Sequence, residues 1–322
     1  MVIIAFATVY IVWGSTYFFI RMAMPAIPPM LLGAMRFFTA GTLVMIWCII
    51  KGEKIFIWKS MITSAIVGLF LLVGGNGAVI LAEQTLPSAM VAILVSAAPI
   101  WFVLLDRQSW GINLRNRSTI LGLIVGFAGV VLLFGEQLSG VFAGGSVQSI
   151  LPWMLVLIGG SISWSAGSLY SKHNPQKGSA AVNVAWQMII AGFVFWLGSL
   201  FRGEFTHVQF QQIPLKSWLA LGYLIVFGSI AAFSAYVWLL QVRPATQVST
   251  YAYVNPVIAV ILGLLFAHEH ISLIQITGLL IILGSVLLIN LSKYRKEKVS
   301  EPDDHTDAAP VKKIDEMAES AS

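Results

Sequence analysis

Charge is what this sequence has least of: Asp, Glu, Lys and Arg make up 10% of its 322 residues, against 58% hydrophobic ones. No water-soluble domain of this size covers its surface with so few charges, which excludes a soluble globular chain. Cysteine is nearly absent as well. The single Cys48 lies in an apolar run, so neither a disulfide framework nor a thiolate metal site is available. No glycine loop ending in Gly-Lys-Ser/Thr occurs, which argues against ATP-driven pumping by the chain itself. No set of nucleophile, base and orienting acid is present, so no catalytic residues and no cofactor are expected. His268 and His270 flank Glu269 at a spacing that puts neighbours on different helix faces, and no metal site is expected there.

What remains is apolar sequence in long runs. A helix needs roughly 17 to 25 such residues to cross about 30 Å of hydrocarbon. Runs of that kind lie near 1–20, 28–50, 60–82, 87–105, 118–135, 151–171, 180–200, 217–240, 246–267 and 273–291. They predict an all-α polytopic membrane protein with ten spans. A β-barrel would alternate polarity over strands of about ten residues and carries no such unbroken runs. The N-terminus has no basic stretch and no small-residue cleavage site ahead of a polar domain, so a retained first helix is expected.

The sparse charges orient these spans. Residues 292–322 hold six Lys or Arg and eight Asp or Glu, which leaves thirteen basic and six acidic residues elsewhere. The loops on the side of the termini carry Lys51, Lys54, Lys59, Arg107, Arg115 and Arg117, and beyond these Lys172, Lys177 and Arg243. The opposite loops offer Arg21, Arg202 and Lys216. The positive-inside bias therefore predicts both ends in the cytoplasm. This basic excess sets orientation and is no nucleic-acid surface. The polar, aromatic-poor stretch 292–322 reads as a disordered cytoplasmic tail.

Two halves repeat. "LPSAMVAILVSAAPIWFVLL" from Leu86 parallels "RPATQVSTYAYVNPVIAVIL" from Arg243, with Pro87 and Pro99 matching Pro244 and Pro256 at an offset of 157. Gly68 and Gly74 match Gly222 and Gly228 at 154, and Trp13 and Gly41 match Trp164 and Gly192 at 151. The chain thus divides into a first five-helix unit (1–135), an extracytoplasmic connecting loop (136–150), a second five-helix unit (151–291) and the tail (292–322). Because five is odd, the second unit enters from the opposite side, which predicts the inverted repeats and midplane site of many secondary transporters. Pro99 and Pro256 sit mid-span and are expected as paired hinges, since a proline deletes one helical hydrogen bond.

The stretches "WGSTYFFIRMAMPAIPPMLLGAMRFFTAG", "AEQTLPSAMVAILVSAAPIW" and "NPVIAVILGLLFAHEHISLIQITGLLIILG" together resemble the EamA family of the drug/metabolite transporter (DMT) superfamily, over about residues 1–291. Its bacterial inner-membrane members are the most similar. The resemblance implies a ten-helix bundle around a cavity lined mainly by spans one, three, four, six, eight and nine, with five and ten peripheral. It also implies export, less often import, of amino acids, related metabolites, nucleosides or amphiphilic drugs across the bacterial cytoplasmic membrane by secondary carriers. The family's Gly-Glu before the final helix is replaced here by His268-Glu269.

A charge in hydrocarbon must face protein or water, so Arg36 inside span two and Glu83 at the outer end of span three are candidates for coupling or gating. Asn76, in "VGGNGAV", is an amide that needs a partner, beside glycines that allow close approach. Trp13, Tyr17, Trp101 and Trp164 are substrate-binding candidates, each with an apolar body and a polar tip. Trp186, Gln187, Tyr236, Tyr251, Tyr253 and Asn255 complete the set. The partners expected are a small-molecule solute and membrane lipid, with coupling to protons or a counter-solute. Monomer and weak homodimer are both open, as are exchange and facilitated transport. A channel and a membrane-embedded transferase are the alternatives of different class.

Overall fold

The computed structural model describes residues 1–86, 88–133, 135, 147–267 and 272–300. Pro87, most of the connecting loop, the residues His268, Glu269 and His270, and the tail from 301 lie outside the described residues. Among the described residues every regular element is a helix, and there is no strand. The helices are α1 (Val2–Ala23), α2 (Pro29–Ile50), α3 (Trp58–Ala82), α4 (Ser88–Val95), α5 (Ala98–Leu105) and α6 (Arg117–Leu133). There follow α7 (Val147–His173), α8 (Ala180–Phe201), α9 (Leu215–Val242), α10 (Tyr251–Ala267) and α11 (Leu273–Ser300).

Proline and charge set several helix ends. Pro29 opens α2, where a missing N–H costs nothing, and Pro214 precedes α9. The Glu204 carboxylate accepts from the backbone N–H of Leu31 at 2.8 Å and so pins the α8–α9 loop to the positive end of α2. Lys172 Nζ donates to the carbonyls of Leu240 (2.7 Å) and Arg243 (2.6 Å), capping the far end of α9. The last helix continues to Ser300, nine residues past the 291 boundary and into the stretch expected to be disordered.

Seven helical stretches among the described residues are long and apolar enough to cross a membrane: α1, α2, α3, α7, α8, α9 and Ala245–Leu262. The count becomes eight if Met90–Leu105 and Arg107–Asn113, bent by 69°, form one span. Arg117–Leu133 and Leu273–Ile289 are shorter apolar helices. All ten predicted runs are therefore helical, while seven or eight meet the length of a crossing.

Both α3 and α9 are wound as a π-helix in their middle, over Leu69–Asn76 and Leu224–Ala231, stretches that start 155 residues apart. Such widening displaces carbonyls from the usual ladder, and in a bilayer they need other donors. Ser163 Oγ donates to Phe70 O at 2.8 Å, and Trp13 Nε1 to Gly228 O at 3.1 Å. Each bond joins residues 1–135 to residues 151–291.

The two prolines behave differently. Pro99 is the second residue of α5, just after the turn at Ser96 and Ala97 that breaks the fourth run. Pro256 lies inside α10, which runs through it, and the break in that run comes earlier, at Ser249 and Thr250. A proline at 256 cannot donate to the carbonyl of Ala252. Ser96 Oγ, which donates to Ala92 O at 2.6 Å, also stands 3.0 Å from that carbonyl, so its one proton is shared between the two broken runs.

The helices pack in pairs, α2 along α8, α6 along α11, α1 against α10 and α9, and α7 against α3 and α5. Small residues sit at the seams, as bilayer packing requires. A Cβ on Gly192 of α8 would lie 2.4 Å from Phe38 N of α2, and one on Gly41 of α2 would lie 2.9 Å from Ala185 O of α8. The backbones are thus in contact at the two positions that the repeat pairs. Gly192→Ala is expected to lower stability by about 1–3 kcal/mol, the usual effect of overpacking. Thermal melting of the purified protein in detergent checks this, and an unchanged midpoint would mean that the seam can open without loss.

Candidate functional site

Six apolar runs converge on a central cavity of about 80 Å³. Its walls come from Trp13, Thr16 and Tyr17 of α1, Arg36 of α2, and Gly75 and Asn76 of α3. Val95 and Ala98 flank the break between α4 and α5, while Ser161 and Trp164 come from α7, and Tyr251 and Asn255 from α10. Spans one, three, four, six and nine line it, as the resemblance implies, but span two contributes through Arg36 and no residue of span eight is among the lining. Span eight stands one layer behind, where its Tyr236 supports Trp164. The helices α6 and α11 remain outside.

One wall is aromatic. Trp13 packs edge-on against Trp164 (centroids 5.4 Å apart, 79° between planes) and Tyr251 (5.0 Å, 79°), with Tyr236 at 4.9 Å. The residues paired by the repeat, Trp13 and Trp164, therefore touch. Ser168 spends its single proton on Trp164 O at 2.7 Å, so the Tyr236 hydroxyl donates to Ser168 Oγ (2.6 Å) and accepts from Trp164 Nε1 (2.9 Å). This chain of bonds fixes the Trp164 ring. A Cβ on Gly75 would lie 2.6 Å from that ring, so α3 reaches it only through a glycine.

The polar side is built around Arg36, which is 3% exposed. Its Nε donates to Ser229 Oγ at 2.9 Å, and its guanidinium carbon stands 4.8 Å from the centre of the Phe37 ring. A Cβ on Gly228 would come within 3.0 Å of Arg36 Nη2, so the glycine lets the guanidinium lie against the π-helical turn of α9. Three buried polar atoms of cavity residues have no hydrogen-bond partner among the described residues: Arg36 Nη1, Ser161 Oγ and Asn255 Oδ1. Glu83 follows α3 directly and is 7% exposed, and neither carboxylate oxygen has a partner among the described residues. It lies outside the cavity lining, within the fields of Tyr17, Arg21 and Arg36.

Of the residues singled out from sequence, Trp13, Tyr17, Asn76, Trp164, Tyr251 and Asn255 line the cavity together with Arg36. The others lie elsewhere. Trp186 Nε1 donates to Ile55 O at 2.8 Å, and its ring meets Phe56 at the α2–α3 loop. Gln187 is fully buried between α8 and α3, where its carbonyl would be 2.5 Å from a Cβ on Gly68. Tyr253 turns away and donates to Leu123 O of α6 at 2.9 Å. Trp101 is half-buried on α5, outside the lining, and its Nε1 has no partner among the described residues. Pro99 follows the cavity residue Ala98, and Pro256 follows Asn255. Sequence reasoning missed Thr16, Ser161 and Ser229. Ser161 precedes Trp164 by three residues on α7, and that shared helical face was the available signal. No group of three His, Cys, Asp or Glu among the described residues is placed to hold a metal ion.

Comparison with known proteins agrees with this architecture. The pattern of the EamA-like transporter family matches residues 1–135 and 151–291. The chain is 38% identical over 297 residues to the inner membrane transporter YedA of Escherichia coli (strain K12), covering 90% of each chain. It is 25% identical to the transporter YvbV of Bacillus subtilis (strain 168), over 91% of this chain and 92% of that one. A crystal structure of 20% sequence identity superposes with a TM-score of 0.74, over 91% of this chain and 98% of its own, and shares the fold. The chain belongs to the EamA-like transporter family of the drug/metabolite transporter superfamily, and is a multi-pass membrane transporter.

Proposed function

We propose that the chain is a secondary carrier that exports amino acids, related small metabolites or amphiphilic compounds across the inner membrane by alternating access. The observation that carries this reading is the central cavity, enclosed by helices from both 1–135 and 151–291 and lined by groups that bind without reacting. Ten crossings, inverted repeats and cytoplasmic termini belong to the same reading. They are supported by π-helical segments at equivalent places in both halves, and by seams where Trp13 meets Trp164 and Gly41 and Gly192 bring α2 and α8 together.

The cavity's size bears on mechanism. Sites that enclose a drug-sized ligand measure roughly 300–1,000 Å³, and a dry cavity of about 150 Å³ holds one benzene. At about 80 Å³ this one, which is not sealed, is smaller than either, and on this reading the helices separate to admit a solute. Alternation between states is what such a cavity needs, and broken runs beside Val95 and Tyr251 supply places to bend.

Counterflow in proteoliposomes tests the proposal. Vesicles preloaded with an unlabelled amino acid, nucleoside or hydrophobic cation are expected to take up the labelled form of the same compound, saturably and without chemical change. Single-channel conductance would replace the carrier by a pore, and consumption of solute by detergent-solubilised protein would replace it by an enzyme.

A further inference from the structure

Arg36 has more binding capacity than the fold uses. Its Nε is held by Ser229, and its face rests on Phe37. The ion pairs among the described residues, His173–Asp106 and Arg202–Glu204, do not include it. The residue lines the cavity, and its buried Nη1 has no acceptor among the described residues. Steadying one serine, resting on Phe37 and standing in the field of Glu83 still leave Nη1 without an acceptor, and a buried cationic donor without one is costly. Two further cavity atoms, Asn255 Oδ1 and Ser161 Oγ, are equally without partners among the described residues, and their side chains are 4% and 6% exposed. The residues around the cavity thus hold one cationic donor, one amide acceptor and one hydroxyl of either role, all without partners among the described residues, beside an aromatic wall. A guanidinium fork matches the two oxygens of a planar carboxylate better than any other side chain does.

Resting on the carrier reading, we propose that Arg36 is the specificity-determining anchor for a carboxylate of the transported solute, with Asn255 and Ser161 taking the solute's own donor. Ser229 and Gly228 are then positioning residues: the serine aims the guanidinium, and the glycine gives it room. Trp13 and Trp164 face the apolar part of the solute. A small organic acid with an apolar body and a neighbouring N–H or O–H fits this set, and its amide or ester loses the ionic contact.

The test is binding by purified protein to two matched acid and amide pairs, L-leucine with L-leucinamide and isovalerate with isovaleramide, read by calorimetry. Each acid is expected to bind roughly tenfold more tightly than its amide, the size of one charge-assisted hydrogen bond. Arg36→Gln should abolish that preference, the affinity for the acid falling by more than that for its amide. Ser229→Ala should keep part of it, because the cation remains but is no longer aimed. A purely structural arginine predicts the reverse, with both variants losing affinity for acid and amide alike. Should Arg36→Gln not fold, Arg36→Lys replaces it and is expected to keep part of the preference, since the charge stays and the fork is lost. No preference for either acid in the wild type, or full preference in Arg36→Gln or Arg36→Lys, overturns the proposal. Counterflow separates the two readings: flux of neutral solutes that ignores Arg36 leaves a carrier without this anchor, and acid preference without flux leaves the anchor without a carrier.

Discussion

Trp13→Ala is expected to cut counterflow about a hundredfold and to lower the melting midpoint of the protein, while Trp13→Phe keeps most of both. The indole lies at the centre of the aromatic wall, with Trp164, Tyr236 and Tyr251 each about 5 Å away between centroids. Deleting a packed aromatic of this kind costs about 3–5 kcal/mol, and about 1.4 kcal/mol corresponds to a factor of ten. The indole also donates to the carbonyl of Gly228, in the π-helical turn that carries Ser229 and hence Arg36. Alanine at 13 therefore empties the wall and removes the indole's bond to that carbonyl. Phenylalanine keeps a ring in the wall and loses only the indole's hydrogen bond, about 1 kcal/mol. Wild-type flux in Trp13→Ala would show that the wall is scaffolding away from the solute path. An effect of Phe as large as that of Ala would shift the weight from the ring to the hydrogen bond.

Much of this site was legible before the structure because a repeat carries information that single helices do not. Trp13 and Trp164 stand 151 residues apart, as do Gly41 and Gly192, and both pairs meet at interfaces between the halves. Arg36 and Asn76 stood out because a polar group in an apolar run must face something polar. The misplaced residues fail for a common reason. A helix apolar on every side has no stripe to tell core from lipid, so nothing in α8 showed that Trp186 faces a loop and Gln187 a helix seam. Tyr253 is two residues from Tyr251, about 200° around the helix, which sends one ring to α6 and the other to the cavity. Ser161 was missed because a serine in such a helix usually serves close packing. The π-helical turns have no residue signature, and the glycines of "VGGNG" were their only trace.

Glu83→Gln is expected to abolish accumulation driven by an imposed pH gradient and to leave counterflow of the same solute intact. The carboxylate is buried just beyond the end of α3, and neither oxygen is held by a described residue. A charge there is costly without donors, so its ionisation depends on the cations that reach it, Arg21 and Arg36, with Tyr17 the other ionisable group nearby. Arg36 belongs to the cavity wall, Arg21 to the last turn of α1, and a carrier that alternates its helices changes the distance from Glu83 to each. On the anchor proposal, a carboxylate arriving at Arg36 would draw on the same cation, and that would tie the solute to the protonation of Glu83. Glutamine keeps the size of the side chain and one acceptor oxygen, replaces the other oxygen with an NH2 donor, and removes the ionisation. If Glu83→Gln still accumulates solute against its gradient when only a pH difference is imposed, the relay lies elsewhere. If the wild type shows no response to that difference while counterflow proceeds, the carrier works by exchange or down-gradient movement, and Glu83 is a structural acid at the edge of the site.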